Sequence, residues 1–252
     1  MKKLTVLIPA HDEEGCIEET IRAFHRELTK ENIDHEILVV NDNSSDSTKT
    51  ILLNLQKEIG ELRSIDNHPP HGFGRAVAAG LESFSGDYVA IVMADMSDRP
   101  VDLVKYFRKT EQGYDCVFGS RFIPQARVVG YPIYKLILNR LTNNIIRLLF
   151  FISYNDVTNA FKLYSRQTIN GLKPFLSQHF NLTVELPLKA IIRGYTYAVV
   201  PTNWTNRKVG FSKLKIKEMG GRYFFIILYC YLEKMLSSND YQKSTHQRLP
   251  EK

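Results

Sequence analysis

Two aspartates, Asp42 and Asp95, each follow a short apolar run, Glu36 to Val40 and Tyr88 to Met93. A carboxylate at the end of a buried strand faces the crevice in which α/β sheets collect their ligands. There it can accept from a base or ribose, or hold a divalent cation against a pyrophosphate. Asp98 stands three residues beyond Asp95. Asp42, Asp46 and Asp98 are also placed to cap a turn or helix, and for Asp46 the cap is the simpler reading. Other chemistries lack their residues. There is no G-x-x-x-x-G-K, H-E-x-x-H, C-x-x-C or G-x-S-x-G. His71-Gly72-Phe73-Gly74 opens a helix, but Val77 stands where a dinucleotide fingerprint needs its third glycine.

The elements that carry these residues follow from periodicity. Leu4–Pro9, Glu36–Val40, Tyr88–Met93 and Cys116–Gly119 read as strands, with a weaker one near Leu62. Ile17, Ile21, Phe24 and Leu28 recur at helical spacing, as do Ile51, Leu52, Leu55 and Ile59. A helix is expected from about Gly74 to Phe84, and Pro100 suits the first turn of another. Strands alternating with helices mean an α/β fold with a mostly parallel sheet. Later in the chain, Thr183–Arg193 reads as a helix and Tyr197–Pro201 as a strand.

From Ser120 to Asn155 there is no acid, yet there are five cations: Arg121, Arg127, Lys135, Arg140 and Arg147. Within this stretch Ile133–Ile152 is helical and amphipathic, with Lys135, Asn139, Asn143 and Arg147 on one stripe. It reads either as a helix in a membrane interface with its cations near lipid phosphates, or as a plain core-covering helix. Pro201–Lys217 is again basic and acid-free, and Tyr223–Leu232 is uncharged and aromatic-rich. Ten residues are too few to span a bilayer but enough to dip into one or to dock on a membrane protein. A net charge of +6 on 252 residues favours anionic partners. Nucleic acid is not the partner expected, because the cations flank apolar helices instead of forming one solvated strip. Three cysteines, far apart and odd in number, read as reduced residues of a cytosolic protein. The start meets charge too early for a leader, and no uncharged run reaches the roughly 20 residues of a spanning helix.

Seven short motifs, in order, resemble one family. They are Pro9-Ala10-His11-Asp12-Glu13, the Val39–Asp46 run, Gly72-Phe73-Gly74-Arg75-Ala76, the Met93–Pro100 run, Gly119-Ser120-Arg121-Phe122, the Asp156–Lys162 run and the Val209–Leu214 run. Together, over about residues 3–225, the chain resembles the family 2 glycosyltransferases of the GT-A fold, and among them the dolichyl- or polyprenyl-phosphate mannose or glucose synthases. The resemblance implies a Rossmann-like sheet flanked by helices, a catalytic domain over residues 1–220, and a C-terminal apolar helix with a polar tail over 221–252. It implies that Pro9, Ala10, Glu13 and Asp42 cradle the nucleotide, with Gly72 and Gly74 closing on it. Asp95 would hold Mg²⁺ or Mn²⁺ beside the pyrophosphate, with Asp98 as a second ligand in a rearranged site. Arg121, Arg127, Arg207 and Lys213 would clamp phosphates of donor and acceptor, with Ser212 adding a hydroxyl.

The chain departs from the family at Met93, which replaces the first carboxylate of D-A-D, and thioether sulfur is a poor ligand for hard cations. The expected activity is inverting transfer of a hexose, with mannose from GDP-mannose as the leading case, to a polyprenyl phosphate at the cytosolic membrane face. A phosphate acceptor is already anionic and needs no strong base. Two other readings stay open. One is transfer to a saccharide hydroxyl, in which Asp98 or Glu185 would serve as base. The other is a non-catalytic nucleotide-binding or scaffold protein.

Overall fold

The computed structural model describes residues 2–205, 216–237 and 240–241. The chain opens with β1 (Leu4–Ala10), α1 (Ile17–Lys30), β2 (His35–Asn41), α2 (Thr48–Leu55), β3 (Leu62–Asp66), α3 (Phe73–Ser83), β4 (Tyr88–Ile91), α4 (Pro100–Thr110) and β5 (Cys116–Ser120). It continues through β6 (Val128–Val129), α5 (Ile133–Phe150), β7 (Lys162–Ser165), α6 (Arg166–Gly171), α7 (Leu182–Ile192), β8 (Tyr197–Pro201), β9 (Trp204–Thr205) and α8 (Ile216–Leu236).

Seven strands form one sheet in the order β3-β2-β1-β4-β7-β5-β8. All its pairs are parallel except those of β7, which runs antiparallel between β4 and β5. The mostly parallel α/β fold expected from the alternation is therefore present, with one reversed strand that the periodicity did not announce. β1 and β2 are buried along their whole length because helices cover both faces of the sheet, which is why they read as unbroken apolar runs. One core lies under α1, α2 and α4, where Ile17, Ile21, Phe24 and Leu28 of α1 are fully buried. The other lies under α3, α5, α7 and α8. β6 and β9 form a separate two-residue parallel ladder beside the sheet.

The chain's C-terminal helix is fastened to this body. Arg193, which caps the end of α7, makes a buried two-pronged ion pair with Glu233 of α8 (2.6 and 2.9 Å), and Lys234 donates to the Phe150 carbonyl at 2.8 Å. α8 runs across positions 220 and 221, between which the sequence places a domain boundary.

Candidate active site

The carboxyl ends of β1, β2, β4 and β5 open on one cavity of about 1160 Å³. Pro9, Ala10, Glu13, Asp42, Gly72, Asp95, Asp98 and Arg121 all line it, so residues spread over more than a hundred positions meet because each ends or follows a strand on the same edge.

Asp42 is fixed from three sides. Its Oδ1 accepts from Asn67 at 2.7 Å and lies 3.2 Å from His71 Nδ1, and its Oδ2 accepts from the Gly72 backbone at 2.9 Å. His11 Nδ1 lies 2.7 Å from the Asp42 carbonyl and also lines the cavity. The loops after β1 and β2 are stitched together by Asp12, Ser44, Ser45 and Asp46. Asp46 accepts from the Glu14 and Thr48 backbones, the capping role its position promised.

Asp95 is half-buried and accepts from the Ser97 backbone at 3.1 Å, in a turn where Met96 takes a left-handed φ of 59°. Asp98 is buried, and its Oδ2 accepts from the Met93 backbone at 2.9 Å. Burial, reinforced by the neighbouring Asp95 charge, pushes its carboxyl up to about 7. Among the described residues no group of three His, Cys, Asp or Glu is set to hold a metal ion. Asp95 fits a cation of the kind that takes one carboxylate and completes its shell with substrate phosphate oxygens. Asp98 is buried and has one oxygen committed to the Met93 backbone, so it fits that part less well.

Arg121 is held differently from the expected phosphate clamp. Its backbone N, Nε and Nη2 all donate to the Asp156 carboxylate at 2.9, 2.8 and 2.8 Å, and both side chains are buried. Burial works against the guanidinium charge, but Asp156 more than offsets it and raises the group's proton affinity. The loop that carries Asp156 is itself pinned from below. Lys162, on β7, sends its buried ammonium to the carbonyls of Val157 and Thr183 (3.0 and 3.1 Å) and of Asn159. Thr158, Asn159 and Thr183 line the cavity.

Other expected positions fall elsewhere. Gly74 does not line the cavity. A Cβ there would sit 2.5 Å from backbone atoms of Gln178 and His179, so this glycine lets the 177–180 loop pack on the start of α3, beside the stacked rings of Phe73 and Phe180. Arg127 is exposed and is not among the lining residues. Glu185 cannot be a base: it is fully buried, accepts from the Leu176 and Ser177 backbones, and pairs with Lys189 at 2.5 Å. Arg207, Ser212 and Lys213 lie outside the described residues.

The α5 stripe is turned inward in part. Asn139 and Asn143 grip Thr158 Oγ1 at 2.7 and 3.0 Å, Lys135 lines the cavity, and Arg147 is exposed. Sequence reasoning missed Arg222, which lines the cavity from α8. Lys135 and Arg222 have no acidic partner among the described residues. Only an unpaired cation in an acid-free stretch signalled Lys135, and nothing local signalled Arg222.

Residues 5–172 match the Glycosyl transferase family 2 model. The chain belongs to glycosyl transferase family 2. Among curated relatives of this family 2 glycosyltransferase, it is 26% identical over 219 residues to the polyprenol monophosphomannose synthase of Mycolicibacterium smegmatis, covering 84% of this chain and 81% of that one. It is also 26% identical over 211 residues to glycosyltransferase AglD of Haloferax volcanii, covering 80% of this chain but 33% of that longer protein. Among solved structures it resembles the glucosyl-3-phosphoglycerate synthase of Mycobacterium tuberculosis, for example its complex with phosphoglyceric acid, with a TM-score of 0.69 and 18% identity over 92% of this chain and 80% of that one. The same synthase with Mn²⁺, uridine diphosphate and phosphoglyceric acid gives 0.67 at 18% identity, over 92% of this chain and 78% of that one. At that identity the likeness speaks for the GT-A fold.

Proposed function

We propose that this family 2 glycosyltransferase moves a hexosyl group, with inversion, from a nucleotide sugar to a polyprenyl phosphate at a membrane surface. The observation that carries the reading is the composition of the cavity at the carboxyl ends of the strands. Its sheet-edge residues include Asp42 and Asp95, which suit a nucleoside diphosphate. Leu138, Ile145, Leu149, Phe224, Ile227 and Leu228 of α5 and α8 line the same space, and they suit an isoprenoid chain. Lys135 and Arg222, without an acidic partner among the described residues, bring positive charge to it from those two helices. A relative named for polyprenol monophosphomannose supports mannose as the hexose.

A phosphate monoester is an oxyanion at neutral pH, so the attack needs positioning and charge stabilisation more than a base. That agrees with Glu185 being locked by Lys189 and the Leu176 and Ser177 backbones. Lys135 brings positive charge to the cavity, and Arg121, its charge balanced by Asp156, offers it an oriented guanidinium. A divalent cation on Asp95 and the donor's phosphate oxygens would neutralise the departing diphosphate.

The outward faces of α5 and α8 support the membrane half of the reading. Ile137, Leu148, Phe225 and Leu236 are 61%, 73%, 61% and 78% exposed, and α5 carries no acid. Such a face is a membrane or protein contact surface. Among the described residues no helix is long and apolar enough to cross a membrane, so the contact would be peripheral.

The test is organic-phase extraction of label after incubation with a panel of nucleotide sugars and a short polyprenyl phosphate. Label should enter the organic phase with one sugar. Lys135→Gln and Arg222→Gln should each lower that transfer about tenfold to a hundredfold, the effect of losing one charge-assisted contact, with nucleoside diphosphate affinity unchanged. Label recovered only on a saccharide or in water would replace the lipid acceptor.

A further inference from the structure

We infer that Trp204 is a specificity-determining residue that, with Tyr131, forms the wall against which the hexosyl ring of the donor stacks. The inference rests on the nucleotide-sugar half of the reading above and not on the lipid.

Strand order gives the cavity a direction. Asp42 follows β2, Pro9 and Ala10 close β1, Asp95 follows β4, Arg121 follows β5 and Trp204 follows β8, in the sheet order β2-β1-β4-β7-β5-β8. Neighbouring strands lie about 4.8 Å apart. Two steps, about 10 Å, separate the strand that precedes Asp42 from the one that precedes Asp95, the scale of a nucleoside joined to its diphosphate. A nucleotide sugar laid from Asp42 to Asp95 therefore carries its hexosyl group onward over β7 and β5. The aromatic surface waiting on that side is Tyr131 and Trp204, both lining the cavity.

The pair is mounted rigidly. The Trp204 backbone donates to the Arg127 carbonyl at 2.9 Å in the β6–β9 ladder. The preceding Asn203 accepts from the Arg127 backbone at 2.8 Å and donates to the fully buried Asp102 at 3.1 Å. Tyr131 meets Trp204 edge to face, with centroids 4.9 Å apart and planes at 83°, and the Arg121 guanidinium lies 5.5 Å from the Tyr131 centroid. An aromatic face attracts the weakly positive C–H bonds of a sugar's apolar side through its negative quadrupole. A side chain already fixed at both backbone and ring loses little freedom on binding. Two residues of ladder, a buried aspartate and a crossed tyrosine are more support than a surface tryptophan needs.

Trp204 is the only tryptophan of the chain, so intrinsic fluorescence reports on it alone. The full chain is titrated with GDP, UDP, GDP-mannose and UDP-glucose, with calorimetry run in parallel to show which ones bind. The nucleotide sugar that binds should change the emission, and its parent diphosphate should not. Trp204→Leu should weaken that nucleotide sugar about tenfold while leaving the diphosphate's affinity unchanged, which also shows that the variant is folded. Trp204→Phe should recover most of the loss. Equal emission changes with diphosphate and nucleotide sugar, or equal weakening of both in Trp204→Leu, would overturn the platform. So would a response to polyprenyl phosphate alone, which would put Trp204 on the acceptor side. A nucleotide sugar that yields binding heat but no lipid product would sink the proposed acceptor and leave this test standing. Calorimetric silence from all four ligands would sink the donor site and the platform together.

Discussion

Removing the Asp156 carboxylate separates two roles for Arg121. In the structure its guanidinium and backbone N–H make three hydrogen bonds of 2.8–2.9 Å to that one carboxylate. The residues are 8% and 0% exposed. Asp156→Ala leaves a guanidinium buried with its counter-charge gone. Breaking a buried pair from one side costs about 3–5 kcal/mol. For a chain of this length each kcal/mol is worth about 2–4 °C, so the melting temperature should fall by roughly 6–20 °C. The double variant Arg121→Met, Asp156→Leu removes both charges and should recover much of that loss, because an apolar pair needs no desolvation of ions. Its transfer activity should stay low, since the cavity then lacks the Arg121 guanidinium. Differential scanning calorimetry gives the first quantity and initial rates the second. If Asp156→Ala melts within a degree or two of the wild type, the ion-pair argument is wrong. A double variant with full activity would show that Arg121 is a structural residue and no part of the phosphate field.

Three further outcomes are expected. Gly74→Ala should lose about 1–3 kcal/mol of stability by overpacking, because its methyl meets backbone atoms of Gln178 and His179 that cannot rotate away; Gly60→Ala, with nothing within 4 Å, is the control. Asp95→Asn should abolish cation-stimulated turnover, whereas Met93→Asp should tighten Mn²⁺ binding measured by electron paramagnetic resonance; unchanged turnover in the first would remove Asp95 from the site. Urea unfolding without divalent cations should show a shallow stability minimum near pH 7. Asp98, raised by burial to about 7, keeps in the fold a proton that the unfolded chain releases near pH 4, so its contribution falls as pH climbs between those values. Lys162, lowered by burial to about 7, has given up in the fold a proton that the unfolded chain keeps to beyond pH 10, so its contribution rises above pH 7. Asp98→Asn should flatten chiefly the acid limb, since the Asp98 charge acts on Lys162 only as the smallest of its influences.

What could be read from the sequence depended on how local the cause was. β1, β2 and β4 announce themselves because helices bury both faces and the runs are apolar throughout. Asp42 and Asp95 were legible for a related reason: a strand's end fixes where the next residues point, and one-dimensional order carries that information. β7 was not legible. Its Lys-Leu-Tyr-Ser places a lysine in the core, satisfied by carbonyls of residues 157, 159 and 183, and no window around position 162 contains the last of them. The Arg121–Asp156 pair has the same character. A motif identifies an arginine that could bind phosphate, but only the fold shows a carboxylate 35 residues later already holding it. The helical stripe of α5 shows the limit most clearly. Its period was correct, and its direction was not determined by it, since the side that faces the protein was set by Thr158 and by α8. Lys135 therefore becomes a cavity residue through a helix some eighty positions away, and Ile137 and Leu148 are left facing outward. An amphipathic pattern gives two faces and no sign. The sign comes from whichever face finds polar partners in the fold, and in α5 the asparagines found Thr158.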